Sequence, residues 1–428
     1  MSSRSRAAIG LAFALLSIPA AGGAQTPSED ASPSLAAFWE ALGDTTLTRL
    51  MNEALRENLD VRAAEARVAG ARSSRTLARL DLAPTVEVAG GYTRQRLPAA
   101  AFPGSTGSLP DQDLWDAGVD AFWEIDLFGR VRRNVRGQGA LVASSREDLR
   151  DAQIGLSAEL ARTYFELRGA QGQLEVAQRN ADNQRRTLDL TQQRLEAGRG
   201  TAFDTERARA QLSFTLAAIP SLESRIAAAR HRIAFLAGRP PATIRSELAS
   251  SAPLPSLDAD LSGVEVDSLV RLRPDVVSAE RRLTAQRAFT GSAKAEYLPR
   301  LSLSGTAGWT SGTFDSFGAR GTSRYAVGPV LTWPALNLGR VKARVDASKA
   351  RESEAEARYR ETVLRAMEEM ESAMVGFTAA RSRLARLDEA AAASERAAEL
   401  ARLRYQEGVA DFLQVLDAER TMLAAQDQ

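Results

Sequence analysis

Four stretches of this 428-residue chain alternate apolar and polar residues with the period of two that marks an extended strand with two different faces. In the first, Val86, Val88 and Tyr92 point one way, and Thr85, Glu87 and Thr93 the other. In the second, Trp115, Ala117, Val119, Ala121 and Trp123 share a face opposite Asp116, Gly118, Asp120 and Glu124. In the third, Leu301, Leu303, Ala307 and Trp309 alternate with Ser302, Ser304, Thr306 and Thr310. In the fourth, Tyr325, Val327, Leu331 and Trp333 alternate with Arg324, Ala326, Gly328 and Thr332. Each run is about 9–12 residues, the length of a tilted strand across a bilayer. The charged side chains Glu87, Asp116, Asp120 and Arg324 belong beside water, and the aromatic ones Tyr92, Trp115, Trp123, Trp309, Tyr325 and Trp333 near the membrane interfaces. The pattern is that of a barrel wall between lipid and a wet lumen. A half-buried sheet in a soluble domain would alternate in the same way.

Four strands cannot close a barrel, and lipid does not tolerate an open sheet edge. The chain is therefore expected to pool its strands with copies of itself; the more strands, the more room for a lumen. The Pro-, Gly- and Ser-rich segments 95–112 and 311–323 are expected to be the outward loops of hairpins at about 84–124 and 299–334.

The chain is also duplicated at an offset of 210: Trp123, Gly129, Arg130 and Val131 recur as Trp333, Gly339, Arg340 and Val341, and Gly198 recurs as Gly408. Leu160, Leu167, Leu174, Ala181, Leu188 and Leu195 fall seven apart, and Met370, Phe377, Leu384, Ala391, Ala398 and Tyr405 keep the same register. A sustained seven-residue period makes a stripe that another helix must cover, commonly in a left-handed coil. Helices over 134–195 and 341–405 would each span roughly 95 Å, far beyond an average globular helix. Glycine closes a helix readily because it adopts the left-handed conformation, so tip turns are expected at 196–203 (around Gly198 and Gly200) and at 406–411 (around Gly408). A return helix follows at 204–236, stopped by Gly238 and Pro240-Pro241. A second begins near Asp411 and ends with the sequence at Gln428, so it is either incomplete or trimmed. Shorter helices are expected at about 46–80 and 265–297, bent or capped near Asp60 and Asp275 or by the nearby glycine and proline. The expected organisation is a first repeat over 46–240, a linker over 241–264 and a second repeat over 265–428.

The one compact apolar stretch, Ala7 to Ala21, follows Arg4 and Arg6 and precedes Gly22-Gly23-Ala24. It reads as a secretory signal peptide over 1–24, followed by an extended segment over 25–45. Removing it takes away Arg4 and Arg6 and moves the formal charge from +1 to −1, which gives no reason to expect a nucleic-acid partner. With no cysteine neither a disulfide nor a cysteine-borne lipid anchor is expected. His231, the only histidine, sits within a helix between arginines. No catalytic, metal or cofactor motif is present, so no enzyme is expected.

Trp123-Glu124-Ile125-Asp126-Leu127-Phe128-Gly129-Arg130, Leu272-Arg273-Pro274-Asp275-Val276, Tyr297-Leu298-Pro299, Tyr405-Gln406-Glu407-Gly408 and Asp411-Phe412-Leu413-Gln414-Val415-Leu416-Asp417-Ala418-Glu419-Arg420 follow one another in order and spacing. In these motifs the chain resembles the outer-membrane factor family of TolC- and OprM-like exit ducts, over nearly all of its mature length. The resemblance implies a homotrimer, with a 12-stranded β-barrel in the outer membrane of a Gram-negative bacterium. Below the barrel it implies a long periplasmic α-helical coiled barrel, docked to a periplasmic adaptor protein and an inner-membrane transporter. It further implies a passive duct for small toxic compounds or drugs, with Gly198, Gly200 and Gly408 in the adaptor-gripped tip. By the same resemblance Asp417, with Asp411, Asp204 and Gln414 nearby, lies at a periplasmic constriction; the alternative for these acids, above all Asp204 and Asp411, is a helix-capping or salt-bridged role. Alternatives are an exit duct for type I protein secretion and a periplasmic coiled-coil adaptor or scaffold.

Overall fold

A computed structural model describes residues 35–98, 110–255 and 265–428. The expected signal peptide (1–24), the first part of the 25–45 segment (25–34), the outer part of the first hairpin loop and the end of the 241–264 linker lie outside the described residues.

The strands β1 (Thr85–Gln95), β2 (Gln112–Ile125), β3 (Arg300–Ser311) and β4 (Ser323–Thr332) form one antiparallel sheet in the order β1-β2-β3-β4. Glu87 lies opposite Asp120, Asp120 opposite Thr306, and Thr306 opposite Ala326. Because side chains alternate across each strand, this register collects the polar and small residues on one face. Val86, Val88, Trp115, Val119, Leu303, Trp309, Tyr325, Val327 and Leu331 share the other. Among the described residues neither β1 nor β4 has a partner on its outer side.

Helix α4 (Arg130–Glu196) starts four residues before the expected position. Gly129, at φ 74°, turns the chain out of the strand, and the Asp126 carboxylate accepts the backbone N–H groups of Val131 (3.2 Å) and Arg132 (2.9 Å). Those donors would otherwise have no partner in the first turn. At about 1.5 Å per residue α4 is roughly 100 Å long, and α8 (Leu338–Gln406) is similar. The return helices are α5 (Ala202–Leu236) and α9 (Phe412–Asp427), against α4 and α8 respectively.

The expected helix 46–80 is two helices, α2 (Thr45–Glu57) and α3 (Leu59–Leu80). Asn58, not Asp60, makes the break. Its Oδ1 accepts from Asp60 N and Val61 N, while its Nδ2 donates to the Leu236 carbonyl at 2.9 Å. The expected helix 265–297 is likewise divided, into α6 (Val266–Val270) and α7 (Pro274–Ala295), because Arg273 is extended before Pro274, as a residue preceding proline prefers to be. A short helix, α1 (Leu35–Glu40), precedes α2.

The main core lies midway along the long helices. Leu47, Leu50 and Met51 of α2 meet Leu160, Tyr164 and Leu167 of α4 and Ile226 and Ile233 of α5. Ile244 and Leu248, both fully buried, seal it from the 241–264 segment, which is thus a plug as well as a linker. Each such aliphatic side chain contributes about 1.5–3 kcal/mol. The seven-residue stripe is covered unevenly. Leu160, Leu167, Ala181, Ala398 and Tyr405 are buried, but Phe377 and Leu384 are exposed, because no described helix reaches that stretch of α8.

Helix α7 fits between α4 and α8. At Gly137 the Phe289 ring occupies the space where a Cβ would stand. Gly137→Val is expected to lower stability by roughly 1–3 kcal/mol through overpacking. Combining it with Phe289→Ala should recover most of that loss in thermal unfolding followed by far-UV circular dichroism.

Candidate functional site

Two regions carry the chemistry, the polar face of the sheet and the tip of the helices. On the sheet, Arg324 reaches across β3 to β2. Its guanidinium donates to Asp116 (3.1 and 2.8 Å), Thr310 (3.0 Å) and Thr306 (3.0 Å). Gly308 lies directly opposite Arg324, and its missing side chain leaves the path open. Thr310 also donates to Asp116 at 2.6 Å. Glu87 and Asp120 face each other across β1 and β2 on the same surface. Phe122, which the sequence reading passed over, is an exposed aromatic on this otherwise polar face.

On the apolar face the aromatics fall into two groups. Tyr92 and Trp115 are in ring contact at 4.5 Å near the hairpin loops, joined by Phe314 at 5.1 Å from Trp115. Trp309 meets Phe317 at 6.5 Å, and Tyr325 is almost wholly exposed at 85%. At the helix end, Trp123 Nε1 donates to the Leu82 carbonyl (2.9 Å) and Trp333 Nε1 to the Tyr297 carbonyl (3.0 Å). Both acceptors stand two residues before the proline that opens a hairpin, Pro84 and Pro299, so one clamp occurs twice. Trp115 and Trp123 are separated along β2 by about 26 Å at a rise of roughly 3.3 Å per residue, of the order of a barrel's apolar band.

The tip turns are also the same device repeated. Gly198 (φ 67°) and Gly408 (φ 75°) are left-handed. Arg199 N donates to Arg194 O (2.8 Å) and Gly198 N to Leu195 O (3.0 Å); Val409 N donates to Arg404 O (2.9 Å) and Gly408 N to Tyr405 O (3.0 Å). Each is a doubly bonded glycine closure. Gly200 is not left-handed; a Cβ there would come within 3.2 Å of Leu195 N. Asp204 and Thr201 cap α5 reciprocally, with Asp204 N donating to Thr201 Oγ1 (3.2 Å) and Thr201 Oγ1 to Asp204 Oδ2 (2.7 Å). Asp411 caps α9 by accepting from Gln414 N at 3.2 Å. Both acids thus hold helix ends. Asp417 and Gln414 lie one turn apart on the exposed side of α9.

The contacts joining the two helical pairs were less visible in the sequence. Arg194 donates to the Tyr405 carbonyl (2.6 Å) and stacks over its ring at 4.5 Å. Around them Phe412, Val415 and Leu416 pack with Tyr405 and Ala208. Glu419 is buried among them, 3% exposed, and accepts from Arg402 Nε (3.0 Å) and Thr187 Oγ1 (3.2 Å). Its signal was its place: Phe412, Val415, Leu416 and Met422 form the buried stripe of α9, and Glu419 is on that stripe. Burial raises the Glu419 carboxyl above the usual range, although Arg402 and Thr187 act in the opposite direction. Among the described residues no group of three or more His, Cys, Asp or Glu could hold a metal ion, and no helix is long and apolar enough to cross a membrane.

The family model described as "Outer membrane efflux protein" matches residues 50–239 and 266–428. The chain is 28% identical over 399 residues to nodulation protein T of Rhizobium leguminosarum bv. trifolii, covering 92% of this chain and 83% of that protein. It is 28% identical over 408 residues to the toluene efflux pump outer membrane protein TtgI of Pseudomonas putida, covering 95% of this chain and 86% of that one. Among solved structures, the outer-membrane channel OprN superposes with a TM-score of 0.85 at 38% identity, covering 91% of this chain and 86% of that chain.

A carboxyl held above its unfolded pKa favours the packed tip when protonated. Its penalty therefore grows as pH rises from the unfolded value through the raised one, and is constant above it. Amide exchange at the tip should consequently speed up as pH is raised through that window, after correction for intrinsic exchange. Glu419→Gln should flatten this dependence; an unchanged profile in the variant would assign it to another group.

Proposed function

The chain belongs to the outer membrane efflux protein family, and on that premise we propose that three copies close one barrel whose lumen continues down the helices to the tip. It is the outer-membrane channel component of a tripartite efflux system, and its fold is that of the family's trimeric channels. The observation that carries the proposal is the four-stranded sheet with one apolar face and two unpartnered edges. In lipid those edges must find strands, and each copy offers one edge of each kind.

On this reading the Tyr92, Trp115, Trp309 and Tyr325 group lies at the outer interface and the Trp123 and Trp333 clamps at the periplasmic one. The helices lie in the periplasm, and the turns at Gly198 and Gly408 meet a periplasmic adaptor that is itself joined to an inner-membrane transporter. The face with Glu87, Asp116, Asp120 and Arg324 lines the lumen. The duct is passive, and its cargo is small toxic or apolar compounds, a reading supported by relatives that include a toluene efflux pump component. A purely periplasmic scaffold has no use for a two-faced sheet of this kind.

Asp417 and Gln414 form the tip constriction. Symmetry repeats Asp417 around the axis, and a ring of carboxylates favours cations. Asp417→Asn should reduce the cation preference of single channels in planar bilayers, and Gln414→Asp should increase it. If both leave selectivity unchanged, the constriction lies elsewhere. Gly408→Val places a branched side chain in the left-handed region at a cost of about 1–2 kcal/mol. It is expected to abolish adaptor-dependent resistance while the protein still reaches the outer membrane in normal amount. Full resistance in that variant would contradict the assignment of the tip.

A further inference from the structure

The polar face of the sheet departs from its own pattern twice, in adjoining rows. The first departure is Phe122. Among the described residues it is the only aromatic side chain that the strands carry on that face, and it is 53% exposed. Its row across the sheet is Thr85, Phe122, Ser304 and Gly328, so small residues flank the ring on both sides. A lone exposed ring needs no explanation; its setting does.

The second departure is the next row toward the hairpin loops, Glu87, Asp120, Thr306 and Ala326. Like charges directly opposite each other on neighbouring strands repel and destabilise the pairing. Two other acids of this face are neutralised: Asp116 pairs with Arg324 at 2.8 Å, and Glu124 with Arg130 at 2.7 Å. Among the described residues Glu87 and Asp120 form no ion pair. Arg324 attracts Asp120 through space, but its guanidinium donates to Asp116, Thr310 and Thr306 instead.

Both departures line one concavity. A cavity of about 740 Å³ is bounded by Thr85, Glu87, Asp120, Phe122, Ser304 and Thr306. Asp120 stands two residues along β2 from Phe122, about 6.6 Å away at the usual strand rise. Glu87 is diagonal to the ring, with its Cα at about 7–8 Å. An arrangement that is unfavourable locally and that the fold does not require is expected where function uses it.

We infer that this cavity binds organic cations that carry an aromatic or other apolar body, the charge between Glu87 and Asp120 and the body against Phe122. The inference rests on the water-facing lumen proposed above and deepens it by naming the chemistry that this part of the wall selects. Charge and shape separate the possible occupants. An anion is repelled by both carboxylates, a neutral apolar compound gains only the ring, and a small inorganic cation gains chiefly the carboxylates. A cation with a ring engages all three side chains, and the Phe122 face itself attracts positive charge. Every one of these groups is exposed, so each contact is weak, and a site inside a conduit must release what it binds. The cavity is complete within one chain; symmetry repeats it once per copy.

Photolabelling tests the site on the full-length protein in phospholipid nanodiscs, with a benzophenone-bearing trimethylammonium salt as probe and mass spectrometry to map the label. Label is expected on β1 and β2 around Glu87, Asp120 and Phe122. Benzyltrimethylammonium should displace it at a concentration roughly fivefold lower than tetramethylammonium, which has the same charge and no ring. Neutral benzyl alcohol should also be weaker than benzyltrimethylammonium by roughly fivefold. Phe122→Ala should make the two ammonium ions equally effective. Glu87→Gln with Asp120→Asn should lower labelling of these strands several-fold, and removal of the repulsion should leave the protein at least as resistant to heat. Equal potency of the two ammonium ions on the unaltered protein would overturn the role of the ring, and equal potency of benzyl alcohol that of the carboxylates. Trimers by native mass spectrometry that are labelled only on the apolar face or at the tip would overturn this site and leave the shared barrel intact. A monomer in the same sample would overturn the shared barrel, and the lumen with it.

Discussion

The structure depends on backbone hydrogen bonds that a single chain cannot complete. Sheet edges are tolerated in water, where unpaired N–H and C=O groups are solvated, but in hydrocarbon each such group costs several kcal/mol. The apolar face of β1 to β4 places the sheet in hydrocarbon, and the outer sides of β1 and β4 have no partner among the described residues. Assembly is therefore part of the folding of this protein.

The helices serve a different requirement. A helix satisfies its own backbone, so α4 and α8 can extend about 100 Å into an aqueous compartment with only narrow seams covered. The seams mix apolar residues such as Leu160, Leu167, Ala181 and Ala398 with buried polar ones such as Thr163, Asn180 and Ser394, and the exposed surface of α8 carries i,i+4 ion pairs such as Arg358 with Glu354 and Arg365 with Glu361, which individually add little. The contacts with specificity are at the ends. Asp126 starts α4, Gly198 and Gly408 close the long helices, and Arg194, Arg402 and Glu419 tie the two helical pairs together near the tip. A buried carboxylate is a costly way to join helices.

Much of this was legible because the two periods are different and long. Alternation in Trp115 to Trp123 and a spacing of seven in Leu160 to Leu195 specify a two-faced strand and a covered helix by geometry alone. What escaped depends on contacts between distant residues. The break at Asn58 is made by a bond to Leu236, which nothing in the local pattern signals. Asp204 and Asp411 suit a helix cap as well as a constriction in sequence, and the fold shows that both cap helices through local contacts. Arg194 looks like ordinary helix surface until Tyr405 is brought beneath it. Glu419 could have been found, since a charge on the apolar stripe of α9 already indicates burial.

One row of the sheet faces lipid, and four of the five tryptophans report on it. Trp115, Trp123, Trp309 and Trp333 belong to the apolar face, whereas Trp39 packs against the helical core. Fluorescence of a Trp39→Phe variant in vesicles containing bromine-labelled lipids tests the claim directly. The account predicts strong quenching by the brominated chains and little by aqueous acrylamide. Efficient quenching by acrylamide with none from the lipid would contradict it.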